Sequence, residues 1–250
     1  MNLLFEGFAW IFDPAHHGGD EGIGTRILQH LGITLVVMVI ASLIAIPLGY
    51  LIGHTGRGRS VVVALSGGVR ALPTLGVISL IALSVGIGFT APVIALVILA
   101  IPSILAGAYS GFEAVDRRTI DAARAVGMTE GQIVTRVEVP LGLPLLIGGL
   151  RSATLQVIAT ATLADYVGAG GLGRYIFSGQ ATNDYPQMLA GSILVIMLAL
   201  VSEALFSLLQ RSLVPAGVVA AEQRQPDGET SGGPTRKSGP RRSLIAGARR

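Results

Sequence analysis

Apolar residues run through this chain in five long blocks, read as 31–53, 60–88, 91–110, 141–164 and 188–210. The blocks hold only three of the chain's Asp, Glu, Lys and Arg residues: Arg70, Arg151 and Glu203. Each is long enough to cross a hydrocarbon core of about 30 Å as a helix, which takes about 20 residues. The pattern predicts an all-α membrane protein with five spans. Block 60–88 is the longest and would reach roughly 43 Å as one helix. It contains Gly67-Gly68, Arg70 and Pro73, so a tilted or broken helix with its first turns in the cytosolic interface is expected.

Composition points the same way. Charged residues make up 13% of the 250, against about 25% in soluble domains, and mean hydropathy is +0.66. A soluble enzyme, a disordered chain and a peripheral membrane protein are excluded. With no cysteine, disulfides, thiolate catalysis and cysteine-based metal sites are excluded as well.

Charge sets the expected orientation. Cytoplasmic loops carry an excess of Lys and Arg. Placing the N-terminus outside puts fourteen basic residues in cytosolic segments and two outside, with Arg70 and Arg151 left in the membrane. Eight of the 18 basic residues follow the last block, so the net charge of +3 gives no reason to invoke nucleic acid. Residues 1–24 are expected outside. They lack the basic start and unbroken apolar run of a secretory signal. Leu3, Leu4, Phe5, Phe8, Trp10 and Phe12 suit a short interfacial helix, and a poorly ordered terminus is the alternative. Residues 213–250 are too rich in Pro, Gly, Ser and Arg to bury a core and are expected to form a disordered, basic cytoplasmic tail.

The loops carry the functional information, and 111–140 carries most. Asp116 is placed to cap a helix that puts Ile120, Ala123 and Val126 on one face, and Gly127 to end it in the left-handed conformation. Thr129 and Gln132 form a capping-box pattern. The second helix presents Ile133, Val134 and Val137. Pro140 is expected to stop it and to push Val139 out of the helical region. The result would be a rigid lever fixed to two spans.

Asp121-Ala122-Ala123, three residues, Gly127, nine residues, then Val137-Glu138-Val139-Pro140 resembles the "EAA" loop of ABC importer permeases. The usual form is Glu-Ala-Ala, three residues, Gly, nine residues, Ile-x-Leu-Pro. The resemblance covers nearly all of 25–212. It implies a type I importer transmembrane domain in a bacterial inner membrane, with 111–140 as the coupling loop. Asp121, Ala122, Ala123, Gly127, Val137, Val139 and Pro140 would then couple to a separate ATPase subunit, the small Ala122 and Ala123 allowing close approach to its groove. Further partners implied are an extracytoplasmic substrate-binding protein and a second permease subunit, either a copy or a homologue. Ala71-Leu72-Pro73-Thr74-Leu75, Ala108-Tyr109-Ser110-Gly111-Phe112 and Gly168-Ala169-Gly170-Gly171-Leu172-Gly173 look like the osmoprotectant branch, whose substrates are glycine betaine, carnitine, choline or proline betaine. Permeases for methionine or another small amino-acid derivative share the fold and parts of these motifs.

Gly168, Gly170, Gly171 and Gly173 formally fit a dinucleotide fingerprint. That fingerprint needs a strand before it and a helix after it. Here it follows a transmembrane helix, so a flexible or tightly turned outer loop is expected, near the outer gate by resemblance. The only lysine, Lys237, lies outside any phosphate-binding loop, so the chain should bind no cofactor, and ATP and Mg²⁺ would be used by the partner. No catalytic residue is expected. His16, His17, His30 and His54 read as solvated or interfacial side chains rather than a metal site. Arg70, Pro73, Arg151 and Glu203 are candidates for the translocation path, since ionisable groups within spans usually face a cavity or a partner; an Arg151–Glu203 pair between the last two spans is one form of it. Snorkelling near the interfaces is the alternative for Arg70 and Glu203. An ATP-independent channel or secondary transporter would need midplane coupling residues or repeated halves, and no internal repeat is visible.

Overall fold

A computed structural model describes residues 2–213, and among these every regular element is helical. In chain order they are α1 (Asn2–Phe12), a 3₁₀ turn (Pro14–His16), α2 (Ile23–Thr55), α3 (Arg59–Arg70), α4 (Thr74–Val85), α5 (Thr90–Glu113), α6 (Arg117–Ala125) and α7 (Glu130–Ile133). A π turn (Val134–Glu138) leads into α8 (Val139–Thr160), followed by a 3₁₀ segment (Ala161–Val167), α9 (Gly173–Thr182) and α10 (Tyr185–Leu213). The expected tail lies outside the described residues, apart from Leu213.

Four runs are long and apolar enough to cross a membrane: Ile23–Thr55, Thr90–Glu113, Glu130–Val167 and Tyr185–Ser212. They coincide with four of the five predicted spans. Block 60–88 takes the broken form. Pro73 lacks an amide hydrogen and disfavours a helical Leu72, so α3 stops at Arg70 and α4 starts at Thr74. The twelve residues of α4 span about 18 Å, short of a full hydrocarbon core.

The centre of the bundle is α5, and small residues put it there. On one side Gly49 and Gly53 of α2 press their backbones on Ala108 and Phe112. A Cβ at either glycine would sit 2.5 Å from the Cβ of its neighbour. On another side Gly107 and Gly111 meet Gly149 and Gly142 of α8. A Cβ on Gly107 would lie 2.7 Å from Gly149 Cα, and one on Gly111 would lie 2.6 Å from Gly142 O. Lipid tails are as apolar as leucine, so helices in a bilayer associate through such close van der Waals contact rather than through the hydrophobic effect. The glycine seams are continuous with a packed interior of Ile33, Val37, Ala41, Leu96, Ala100, Ile104, Ala153 and Val157.

A second packing unit joins α1, α9 and α10. Trp10 and Ile11 lie on a cluster with Ile23, Leu172, Tyr175 and Leu194, and Trp10 meets Tyr175 edge to face at 5.0 Å. Of the two forms open for the N-terminal segment, a docked helix is the one observed.

One expectation is overturned. Pro140 does not end the helix, and Val139 has helical angles (φ −61°, ψ −51°). The π turn absorbs the proline. Val139 N–H bonds back to Val134 O and Pro140, in the first turn of α8, is where a missing donor costs least. Lever and span are therefore one continuous helical run.

The seams predict a contrast between two glycines. Gly111→Val forces a β-branched side chain into the Gly142 backbone and should destabilise by about 3 kcal/mol or more. Gly148→Ala, where nothing lies within 4 Å of the new Cβ, should be neutral. Thermal unfolding in detergent, followed by size-exclusion chromatography, checks both.

Candidate functional site

The lever is built from two caps facing each other across a glycine. Asp116 Oδ1 accepts from the Arg118 amide at 2.9 Å and starts α6. At its end Gly127 N–H donates to Arg124 O at 2.9 Å and Met128 N–H to Ala123 O at 3.1 Å, the paired bonds of a Schellman motif. Gly127 has φ +86° with open space around it, so conformation and not room requires glycine. Thr129 and Gln132 then bond reciprocally as a capping box. Val115, Ile120, Ala123 and Ile133 close over a small interior that Met128 and Val137 cover. Arg124 forks onto Glu130 across the turn at 2.8 and 3.1 Å, and that carboxylate holds its guanidinium above the usual arginine range.

The two motif alanines have different surroundings. Ala122 and Asp121 are exposed on the outer face, whereas Ala123 is buried within the lever. The small size expected at Ala123 for a partner's groove serves close packing inside the lever. Val139 and Pro140 are half-buried at the junction with α8.

Two histidines read as solvated or interfacial are structural. His54, in the last turn of α2, donates from Nδ1 to Glu138 Oε2 at 2.7 Å and places Nε2 3.4 Å from Glu130 Oε2. Glu138 is only 2% exposed. His30 is fully buried in α2; Nε2–H donates to Ile158 O at 2.9 Å, so Nδ1 accepts, here from the Leu172 amide at 3.4 Å. No local pattern marks either residue, because their partners lie 84 and 128 positions away.

His30 and its neighbour Gln29 hold the glycine loop. Gly168 ends the 3₁₀ segment at φ +78°, and Gly170 and Gly171 come next at +80° and +87°. The Gly171 amide donates to Gln29 Oε1 at 3.1 Å, and a Cβ on Gly173 would collide with Thr162 O. Three of the four predicted gate glycines thus share one tight turn, and Gly173 opens α9 directly after it. Beside it Arg26 bonds Gln29 Oε1 at 2.7 Å and pairs with Glu21, and Arg174 lies 3.9 Å from the same carboxylate. The Arg26 bond holds Glu21 below the usual carboxylate range. This pairing therefore persists above that range and is lost as pH falls through the lowered value.

Of the path candidates, Arg151 and Glu203 meet, Nε to Oε2 at 2.6 Å, joining α8 to α10. Arg70 ends α3 and Pro73 caps α4; both belong to the break. Next to the glycine turn, a hollow of about 450 Å³ is lined by Asp165, Tyr166, Arg174 and Phe177 among others. Tyr166 and Phe177 form two of its walls, their ring centroids 6.0 Å apart and planes at 58°.

A bundle of four crossing helices and a broken fifth, carrying a capped lever at one end and a pinned glycine turn at the other, defines an importer permease. The chain belongs to the family described as binding-protein-dependent transport system inner membrane component, whose model matches residues 45–216. It is a multi-pass inner-membrane transport subunit. Among curated proteins it is 30% identical to the choline transport system permease protein OpuBB of Bacillus subtilis, covering 77% of this chain and 89% of the relative. It is 34% identical to the carnitine transport permease protein OpuCB of Listeria monocytogenes, covering 78% and 89%. The osmoprotectant import permease protein OsmY of Salmonella typhimurium is 33% identical, covering 75% and 80%. In fold it resembles the inward-facing MetNI methionine ABC transporter, with TM-score 0.67, 23% identity and coverage of 77% and 96%. An amino acid ABC transporter crystallised with histidines gives TM-score 0.63 at 20% identity, covering 76% and 93%.

The lever's internal packing is testable by hydrogen exchange on the membrane-embedded protein. Gly127→Val strains a positive-φ position by about 1–3 kcal/mol. Protection of amides in 117–138 should fall by about fivefold or more, each 1.4 kcal/mol being tenfold. Ala123→Asp buries an unpaired charge and should do at least as much. Ala122→Ser, on the exposed face, should leave protection unchanged.

Proposed function

We propose that this chain is the membrane-spanning permease subunit of an ATP-driven importer of quaternary-ammonium osmoprotectants such as glycine betaine, carnitine and choline. A separate ATPase subunit docks on the outer face of the lever, around Asp121 and Ala122, and consumes ATP and Mg²⁺; the permease binds neither. A second permease, a copy or a homologue, completes the pathway, and an extracytoplasmic binding protein delivers substrate near the glycine turn. The N-terminus lies outside and the C-terminus in the cytoplasm, which puts the lever and the ATPase on one side.

The observation that carries the coupling role is the lever itself, a capped two-helix element continuous with α8. Closure of an ATPase dimer would push it, and the spans would reorient around the substrate. Substrate class is supported by the relatives, which carry the names of choline, carnitine and osmoprotectant permeases at 30–34% identity. The chemistry of the hollow agrees. Aromatic faces attract a quaternary ammonium that cannot donate a hydrogen bond, and the Arg174 guanidinium suits the carboxylate of a betaine or carnitine. A methionine permease shares the fold, but an α-ammonium group would be better served by acceptors than by ring faces.

Proteoliposomes holding the permease, its ATPase and its binding protein test this reading. ATP-dependent uptake of labelled glycine betaine, carnitine or choline is expected, with methionine excluded. Tyr166→Ala should raise the apparent KM for quaternary amines by about two- to thirtyfold, the range that a cation–π contact of about 0.5–2 kcal/mol implies. Methionine uptake in place of quaternary amines, or uptake that does not require ATP, would overturn it.

A further inference from the structure

We propose that α2 is a connecting rod between the coupling lever and the outer glycine turn, and that His54 is the positioning residue that clasps it to the lever. The proposal rests on the ATP-coupled reading above and extends it to a helix outside the coupling motif.

Three observations converge on the cytosolic end. The Glu138 carboxylate is 3% exposed, and a buried charge of this kind is strongly unfavourable unless it is paired and hydrogen-bonded. His54 supplies that bond at 2.7 Å. The other ring nitrogen lies 3.4 Å from Glu130, which Arg124 also grips, so one imidazole meets α2, α6, α7 and the start of α8 through a short chain of contacts. Immediately beside it, Gly53 rests on Phe112, and Tyr50 lies tilted against the same ring with centroids 4.4 Å apart and planes at 33°. The end of α2 is therefore held by backbone contact as well as by the His54–Glu138 hydrogen bond.

Glu138, buried against His54, is the last residue of the π turn. The wider turn Val134–Glu138, closed by Val139 N–H to Val134 O, sets the register with which α8 leaves the lever. Glu138 meets His54, while Ile133, just before the turn, and Val137, within it, pack in the lever's interior.

At its far end the same helix holds the glycine turn. Gln29 accepts from Gly171 N–H, and His30 accepts from Leu172 N–H while donating to Ile158 O. From His30 to His54 the helix, which carries Pro47 in its interior, extends about 36 Å. A displacement of the lever is thereby delivered to the turn beside the aromatic hollow without passing through α10. His54 and His30 do different work: one takes up the movement and the other applies it.

The chain has no cysteine, which permits a clean test in proteoliposomes of the assembled transporter. His54→Ala should keep ATPase activity while substrate moved per ATP falls by about fivefold or more, the scale of a typical coupling between sites. His54→Gln, which can still donate to Glu138, should restore part of it. The double variant His54→Cys with Glu138→Cys should be equally uncoupled, and joining the two thiols with a short bismaleimide should raise transport per ATP again. The proposal is overturned if His54→Ala keeps the parental ratio or loses ATPase and uptake in proportion, or if the covalent link leaves the double variant uncoupled. If the parental complex shows no ATP-dependent uptake at all, the coupling reading itself fails, a result distinct from unchanged coupling in the variants.

Discussion

Backbone contact along two glycine seams is the constraint on which the rest of this structure depends. Gly49 and Gly53 set α2 against α5, and Gly107 and Gly111 set α5 against Gly149 and Gly142 of α8. Water provides no drive for these contacts within a bilayer, so their strength is the dispersion energy of atoms brought to touching distance. A single methyl group at any of the seam positions would push two helices apart. Because interiors packed in this way are bistable and do not deform continuously, α2, α5 and α8 are suited to move as a slab. The lever grows directly out of α8, and the outer glycine turn extends from its other end.

Polar side chains appear where the slab must be tied to something else. His54 with Glu138 joins it to the lever, His30 and Gln29 join it to the glycine turn, and Arg151 with Glu203 joins it to α10. Groups of this kind are expensive away from water and contribute little net stability. Their value is in fixing register between elements whose apolar surfaces could slide. The helix caps do comparable work on the smaller scale of the lever. The Schellman bonds at Gly127 and the capping box at Thr129 fix the angle between two helices that are each too short to be stable alone.

Much of this was legible from local chemistry. Four apolar blocks became single crossing helices, and Asp116, Gly127, Thr129 and Gln132 each have the capping role that their type and spacing suggest. Proline proved ambiguous. Pro73 breaks a helix, while Pro140 sits harmlessly in a first turn because a π turn precedes it, and the sequence shows no sign of that π turn. The covered face of α6 was only partly legible: spacing groups Ile120, Ala123 and Val126, but the fold closes Ile133 over the first two and leaves Val126 exposed, 79% accessible, beyond the end of the helix, with Ala122 also outside. The clasps at His54 and His30 depend on partners distant in sequence, and a lone histidine carries no mark of them. The alternate sides of the glycine seams were likewise invisible in a chain where glycine occurs 34 times.

The most direct measurement of how this permease is driven is photo-crosslinking from the outer face of the lever in living cells. A photoreactive phenylalanine analogue in place of Ala122 should capture an ATPase subunit on illumination. The same analogue in place of Thr182, exposed at the end of α9 on the opposite side, should not. Capture of the ATPase from Thr182, or its absence at Ala122 in a complex that still transports, would contradict the assignment of residues 117–138 as the coupling element.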